Sequence, residues 1–174
     1  LDWVAVTDHS DAAGVIFEIR DGNPDLMADP LAKRWHDMMG AGQGVQAASE
    51  MISAQSNNKI PSVMKDPRLA MTVWKKNTAI MEKYNEPGRF TAFIGYEWTS
   101  QAAFNIHRNV IYRDGGDLAR QVMPFTVAPP LGSPHEPDLW AWMEAYEAST
   151  GGDVLAIAHN GNVSNGLMFP LIQP

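Results

Sequence analysis

Apolar and polar positions fall in blocks along this chain, and the period changes from block to block. Leu1–Thr7 (LDWVAVT) is a short apolar run that stops at Asp8-His9-Ser10, which predicts a buried strand followed by a loop. Asp29-Pro30 is a helix start, after which Leu31, Trp35, Met38 and Met39 build one apolar face up to Gly40. Gly44–Gln55 predicts a second helix. Asp66-Pro67 opens a third, with Leu69, Val73, Ile80 and Tyr84 as its apolar positions and Pro87-Gly88 as its stop. Arg89–Tyr96 is the next strand, closing at Glu97, and Ile106–Tyr112 is another, ending in the turn Asp114-Gly115-Gly116. A Pro-rich loop, Pro124–Pro137, leads to a helix over Pro137–Thr150 with Leu139, Trp140, Met143 and Tyr146 inward and Gly151-Gly152 as its stop. Val154–Ala158 is the fourth strand, followed by His159-Asn160-Gly161.

Strand, helices, strand, strand, helix, strand is an α/β order, and it predicts a mostly parallel sheet. Ligands in such folds bind beyond the carboxyl ends of the strands. Three of the strands finish on a metal-capable residue, His9, Glu97 and His159, and the other carries His107 near its start, flanked by Asn105 and Arg108. Imidazole nitrogens and carboxylate oxygens suit zinc, manganese or iron. A cluster of them fits a hydrolase site with two or three divalent ions, in which a metal lowers the pKa of a bound water to about 7.

Each residue also has an ordinary structural reading. A His beside a strand is most often bonded to backbone, and Glu97 reads equally as a capping or salt-bridged carboxylate. Arg108 reads as a salt-bridged strand residue, and Asn160-Gly161 as a turn. What favours a site is the shared position on separate strands. His36, inside a helix, and His135, in the Pro-rich loop, fit it less well.

Composition narrows the chemistry further. The 174 residues contain no cysteine, which excludes disulfides, thiolate metal sites, iron–sulfur clusters and cysteine nucleophiles. Lys plus Arg number 13 against 20 for Asp plus Glu, a net charge of −7, which argues against nucleic acid as the main partner. No apolar run is long enough to span a membrane. Gly40–Gly44 is Gly-rich but follows a helix, so it lacks the context of a dinucleotide site. Neither a phosphate-binding Gly-Lys-Ser/Thr loop nor a Gly-x-Ser-x-Gly elbow is present.

Thr7-Asp8-His9 after an apolar strand resembles the second motif of the PHP (polymerase and histidinol phosphatase) metallo-phosphoesterases. The segments AVTDHS, FIGYEWTS, NIHRNVIYRD, DLWAWMEAYEASTGG and LAIAHNGNVSNGLMFP resemble the PHP-like DUF3604 family over essentially the whole chain. The resemblance implies a distorted TIM-type barrel of parallel strands with surrounding helices. The chain would be an internal part of a single such domain, with a first-strand His-x-His and a last-strand Asp-x-His lying outside it. His9, Glu97, His107 and His159 would be the metal ligands, with Glu97 bridging. Asp8 would orient a ligand or relay a proton, and Arg108 and Asn160 would meet a small phosphorylated substrate. Asp11 stands where the family pattern has Glu. The implied activity is a metal-dependent phosphoesterase, with a periplasmic or secreted setting favoured over the cytoplasm. An amidohydrolase-like C–N or C–O hydrolase and a non-catalytic metal-binding domain remain the alternatives.

Overall fold

The computed structural model describes residues 1–11, 14–57, 59–100 and 104–169. Positions 12 and 13 and Pro170, the last residue of the motifs quoted above, lie outside them. In chain order the elements are β1 (Trp3–Ala5), α1 (Val15–Arg20), α2 (Pro24–Met27), α3 (Pro30–Gly40), α4 (Gly44–Ser56), α5 (Pro67–Tyr84), β2 (Thr91–Phe93), β3 (Gly95–Trp98), β4 (Arg108–Tyr112), α6 (Gly116–Ala119), α7 (Glu136–Thr150) and β5 (Val154–Ala158). Single 3-10 turns occupy Ser62–Lys65 and Gly161–Val163. The chain divides into two compact units, residues 14–73 and residues 1–13 with 74–174.

The unit of residues 14–73 is helical. Asp29 caps α3 by accepting hydrogen bonds from the backbone N–H groups of Leu31 (2.8 Å) and Ala32 (3.1 Å), as the Asp-Pro start predicts. Leu26, Ala32, Trp35 and Ala47 form its core, and Arg34 pairs with Glu50 across α3 and α4 at 2.7 Å. The short helices α1 and α2 were not foreseen in the sequence. His36 donates from Nδ1 to the carbonyl of Ile19 at 2.8 Å, a tie of α3 to α1 that matches its exclusion from the candidate ligands.

The other unit contains all the strands among the described residues. β1 runs parallel to β2, Trp3 opposite Thr91 and Ala5 opposite Phe93. A further parallel bridge, His9 to Glu97, continues this pairing past the end of β1. The Tyr112 N–H donates to the Ile94 carbonyl at 2.9 Å, joining β2 and β3 into one edge along β4. β4 is antiparallel to β3 (Glu97 opposite Asn109, Trp98 opposite Arg108) and to β5 (Arg108 opposite Ala158). The strands thus form a two-stranded parallel sheet, β1-β2, and a three-stranded antiparallel sheet, β3-β4-β5, which corrects the expectation of a mostly parallel sheet. The chain between β3 and β4 is too short for a parallel crossover, which takes about a dozen residues or more. No closed barrel is formed by the described residues, and the architecture is α/β with small sheets.

The core of this unit lies on one side of β3 and β4. Tyr96, Trp98, Val110 and Tyr112 are buried there with Trp74 of α5 and Leu139 and Tyr146 of α7. The rings of Tyr112 and Tyr146 meet edge-on at 5.2 Å between centroids, and Tyr96 meets Trp142 at 5.9 Å. The Trp74 indole donates to the Ala119 carbonyl at 2.9 Å, pinning α6. Ile80 and Tyr84, expected inward, are exposed, because the buried stripe of α5 runs through Val73, Trp74 and Thr78. Trp140 is likewise exposed, since α7 turns Leu139 and Tyr146 to the sheet.

Candidate metal centre at the strand ends

The directions of the strands explain where the candidate residues meet. β5 runs with β3 and β1, and β4 runs against them. The carboxyl ends of β1, β3 and β5 and the amino end of β4 thus share one edge. This is why His9, Glu97 and His159 stand at or beyond strand ends while His107 stands just before a strand start. The ladder holds them: the Glu97 N–H donates to the Asp8 carbonyl (2.8 Å), the Ser10 N–H to the Glu97 carbonyl (2.9 Å), and the His159 N–H to the His107 carbonyl (3.0 Å).

Side chains alternate along β3. Tyr96, Trp98 and Ser100 go to the core side, and Glu97 and Thr99 to the other. Glu97, with 9% of its side chain exposed, lies between two histidines. Its Oε1 is 2.8 Å from Nδ1 of buried His107, and its Oε2 is 3.7 Å from Nδ1 of His9, whose side chain is 63% exposed. His9 Nδ1 is also 2.6 Å from the Thr99 hydroxyl. The His159 ring centroid lies 6.4 Å from that of His107, and the Asn160 amide nitrogen is 3.3 Å from His107 Nδ1. Asn160 reaches it from a left-handed backbone conformation (φ 60°) that asparagine tolerates.

Burial pulls the His107 pKa below the ordinary imidazole value, against the opposing pull of the Glu97 carboxylate. The ring is therefore held neutral near pH 7, the state a metal ligand needs. Among the described residues, the buried polar atoms Glu97 Oε1, His107 Nε2, Asn109 Oδ1 and, next to His9 in the chain, Ser10 Oγ have no hydrogen-bond partner. Glu97 Oε1 is close to His107 Nδ1 without the alignment of a hydrogen bond.

Nitrogen and oxygen donors with unpartnered buried atoms fit a divalent cation in chemistry. Their spacing does not close a ligand shell: among the described residues, no group of three or more His, Asp or Glu side chains is arranged to hold a metal ion.

The sequence-named residues divide into two sets. His9, Glu97, His107, His159 and Asn160 come together, and Asp8 joins them through its backbone, its side chain being exposed. Arg108 does not. It follows His107 directly, so its side chain leaves by the other face of β4, where it pairs with Glu136 at 2.5 Å and also contacts the Met168 sulfur. Its structural reading is the one the geometry supports. Asp11 accepts a hydrogen bond from the Val127 N–H at 3.1 Å and fastens the Pro-rich loop to the Asp8-His9 turn. Burial raises the Asp11 carboxyl above its usual range, with the Val127 bond opposing. Thr99 and Ser10 were not singled out in the sequence. The period-2 step from Glu97 points to Thr99.

The chain belongs to the DUF3604 family, "Protein of unknown function (DUF3604)", whose model matches residues 1–174. No curated protein and no solved structure matches it. No helix among the described residues is long and apolar enough to cross a membrane.

Proposed function

We propose that this chain carries part of the active centre of a metal-dependent hydrolase of the PHP type, acting on a phosphate ester. The observation that supports this most is the meeting of Glu97 with His9 and His107 at one sheet edge, with Glu97 Oε1 and His107 Nε2 buried and unpartnered. An unsatisfied buried polar atom costs about 1–3 kcal/mol, a cost that a function elsewhere in the fold does not explain. Glu97, His9, His107 and His159 would hold the ions, which would supply an acidified water and a Lewis acid for a phosphoryl oxygen. Burial of the His107 ring favours its neutral form, against the pull of the Glu97 carboxylate. Asp8, whose side chain is exposed, would pass a proton to a leaving group, and Asn160 would bind substrate. Arg108 has no part in this scheme, because its guanidinium is engaged with Glu136.

The competing reading, a domain without catalysis, has one observation in its favour: the donors do not close a three-ligand set. Metal analysis of the full chain, followed by assay of phosphomonoesters, phosphodiesters, amides and lactones with zinc, manganese or iron, separates the two. Metal-dependent release of phosphate supports the proposal. Turnover of amides or lactones alone transfers the site to C–N or C–O hydrolysis, and no metal with no turnover overturns it.

A further inference from the structure

His9 is the most exposed of the ring donors, so something other than packing must set its orientation and its tautomer. Two groups face its Nδ1: the Thr99 hydroxyl at 2.6 Å and the Glu97 Oε2 at 3.7 Å. Both are oxygens and one belongs to a carboxylate, so a proton on Nδ1 is favoured over a lone pair there. Thr99 Oγ1 in turn is 3.4 Å from the Glu97 main-chain carbonyl, which can only accept. The hydroxyl proton has a destination, and the oxygen's lone pair is left for His9. A neutral imidazole protonated on Nδ1 carries its lone pair on Nε2.

We infer that Thr99 is the positioning residue of His9: its hydroxyl accepts the Nδ1 proton and leaves Nε2 as the donor atom. His107 differs. Its Nδ1 lies 2.8 Å from Glu97 Oε1 without the alignment of a hydrogen bond, and its Nε2 is buried without a partner. The Asn160 amide, which can only donate, approaches the same Nδ1 at 3.3 Å. Of the two rings, His9 is the one held on Nδ1 by an accepting hydroxyl, and it offers Nε2. Ligating histidines commonly donate their other N–H to an oxygen in this way, and the partner contributes about 10–100-fold in metal affinity. The metal half of this inference rests on the function proposed above, whereas the tautomer half stands on the geometry alone.

The test uses the full chain labelled with nitrogen-15, freed of metal, at about pH 8.5 where imidazole rings are neutral. Long-range proton–nitrogen spectra report which ring nitrogen of His9 is protonated, with the His9→Gln variant identifying the signal. The expected result is an Nδ1–H tautomer in the wild type and in Thr99→Ser, and a shift toward Nε2–H in the near-isosteric Thr99→Val. Zinc titration of the same samples should show about 10–100-fold weaker binding for Thr99→Val, restored in Thr99→Ser. A wild-type His9 protonated on Nε2 overturns the inference without any variant, as does a Thr99→Val spectrum unchanged from wild type. If zinc binds none of the samples while the tautomers behave as stated, the hydrolase proposal fails and the positioning role of Thr99 stands.

Discussion

The two faces of β3 use neighbouring residues for opposite purposes. On one face Tyr96 and Trp98 are almost fully buried, and the Trp98 indole and the Ser100 hydroxyl donate to the carbonyls of Ser133 and Pro134 at 3.0 and 2.6 Å. On the other, Glu97 stands between two imidazoles with one of its oxygens unpartnered, and Thr99 holds the outermost ring. The first face ties down the Pro-rich loop and the core, and the second gathers ring nitrogens and carboxylate oxygens; buried unpartnered atoms occur on both sides, the Tyr112 hydroxyl in the core and Glu97 Oε1 at the strand ends. A five-residue stretch thus carries both the stability and the candidate chemistry, separated only by the period of a strand. A residue that costs stability to keep, beside residues that supply it, is the pattern expected where function opposes packing.

Substitutions on the two faces should separate fold from activity. Trp98→Ala is expected to have the largest effect. Removing a buried indole costs about 3–5 kcal/mol, and urea unfolding should show it as a large fall in midpoint. A loss below about 1 kcal/mol would mean that this face is not the core anchor.

Alkali should act on the same face. Burial raises the phenols of Tyr96 and Tyr112 well above their ordinary value of about 10, so the folded state disfavours phenolate. Their contribution to stability is fully present below about pH 10 and is lost as pH rises from there toward the folded values. Tyrosinate absorbance from these two rings should therefore appear together with the loss of near-ultraviolet circular dichroism, not before it.

Glu97→Gln should do the reverse of Trp98→Ala. Stability should change by no more than about 1 kcal/mol, since the amide keeps the volume and relieves a partly unsatisfied buried charge. Metal-dependent turnover should fall by about 10–100-fold or more. Unfolding of this variant, with activity retained in whatever remains folded, would merge the two faces into one structural role. Ser100→Ala should have the smallest effect, about 1 kcal/mol from the lost bond to Pro134, measured by thermal unfolding.

Much of this was legible in the sequence. The Asp-Pro helix starts and the Gly151 stop follow from local rules that the fold respects. The sequence pattern puts His107 inside a strand over 106–112, whereas β4 starts at Arg108, and it is the antiparallel direction of β4 that brings His107 to the shared edge; direction depends on pairing partners that no local pattern encodes. Arg108 shows the same limit. Its neighbour His107 made it attractive as a substrate contact, yet alternation sends it to the opposite face and to Glu136, far along the chain. Thr99 was missed because a Thr after a strand is an ordinary residue until the ring beside it is known.

Zinc titration of the wild-type chain beside Glu97→Gln, followed by calorimetry, addresses the strand-end cluster most directly. Saturable binding by the wild type, weakened about 10–100-fold or more in Glu97→Gln while both remain folded, is the predicted result. Absence of saturable binding to the wild type, or equal affinity in the two proteins, would contradict a metal centre built around Glu97.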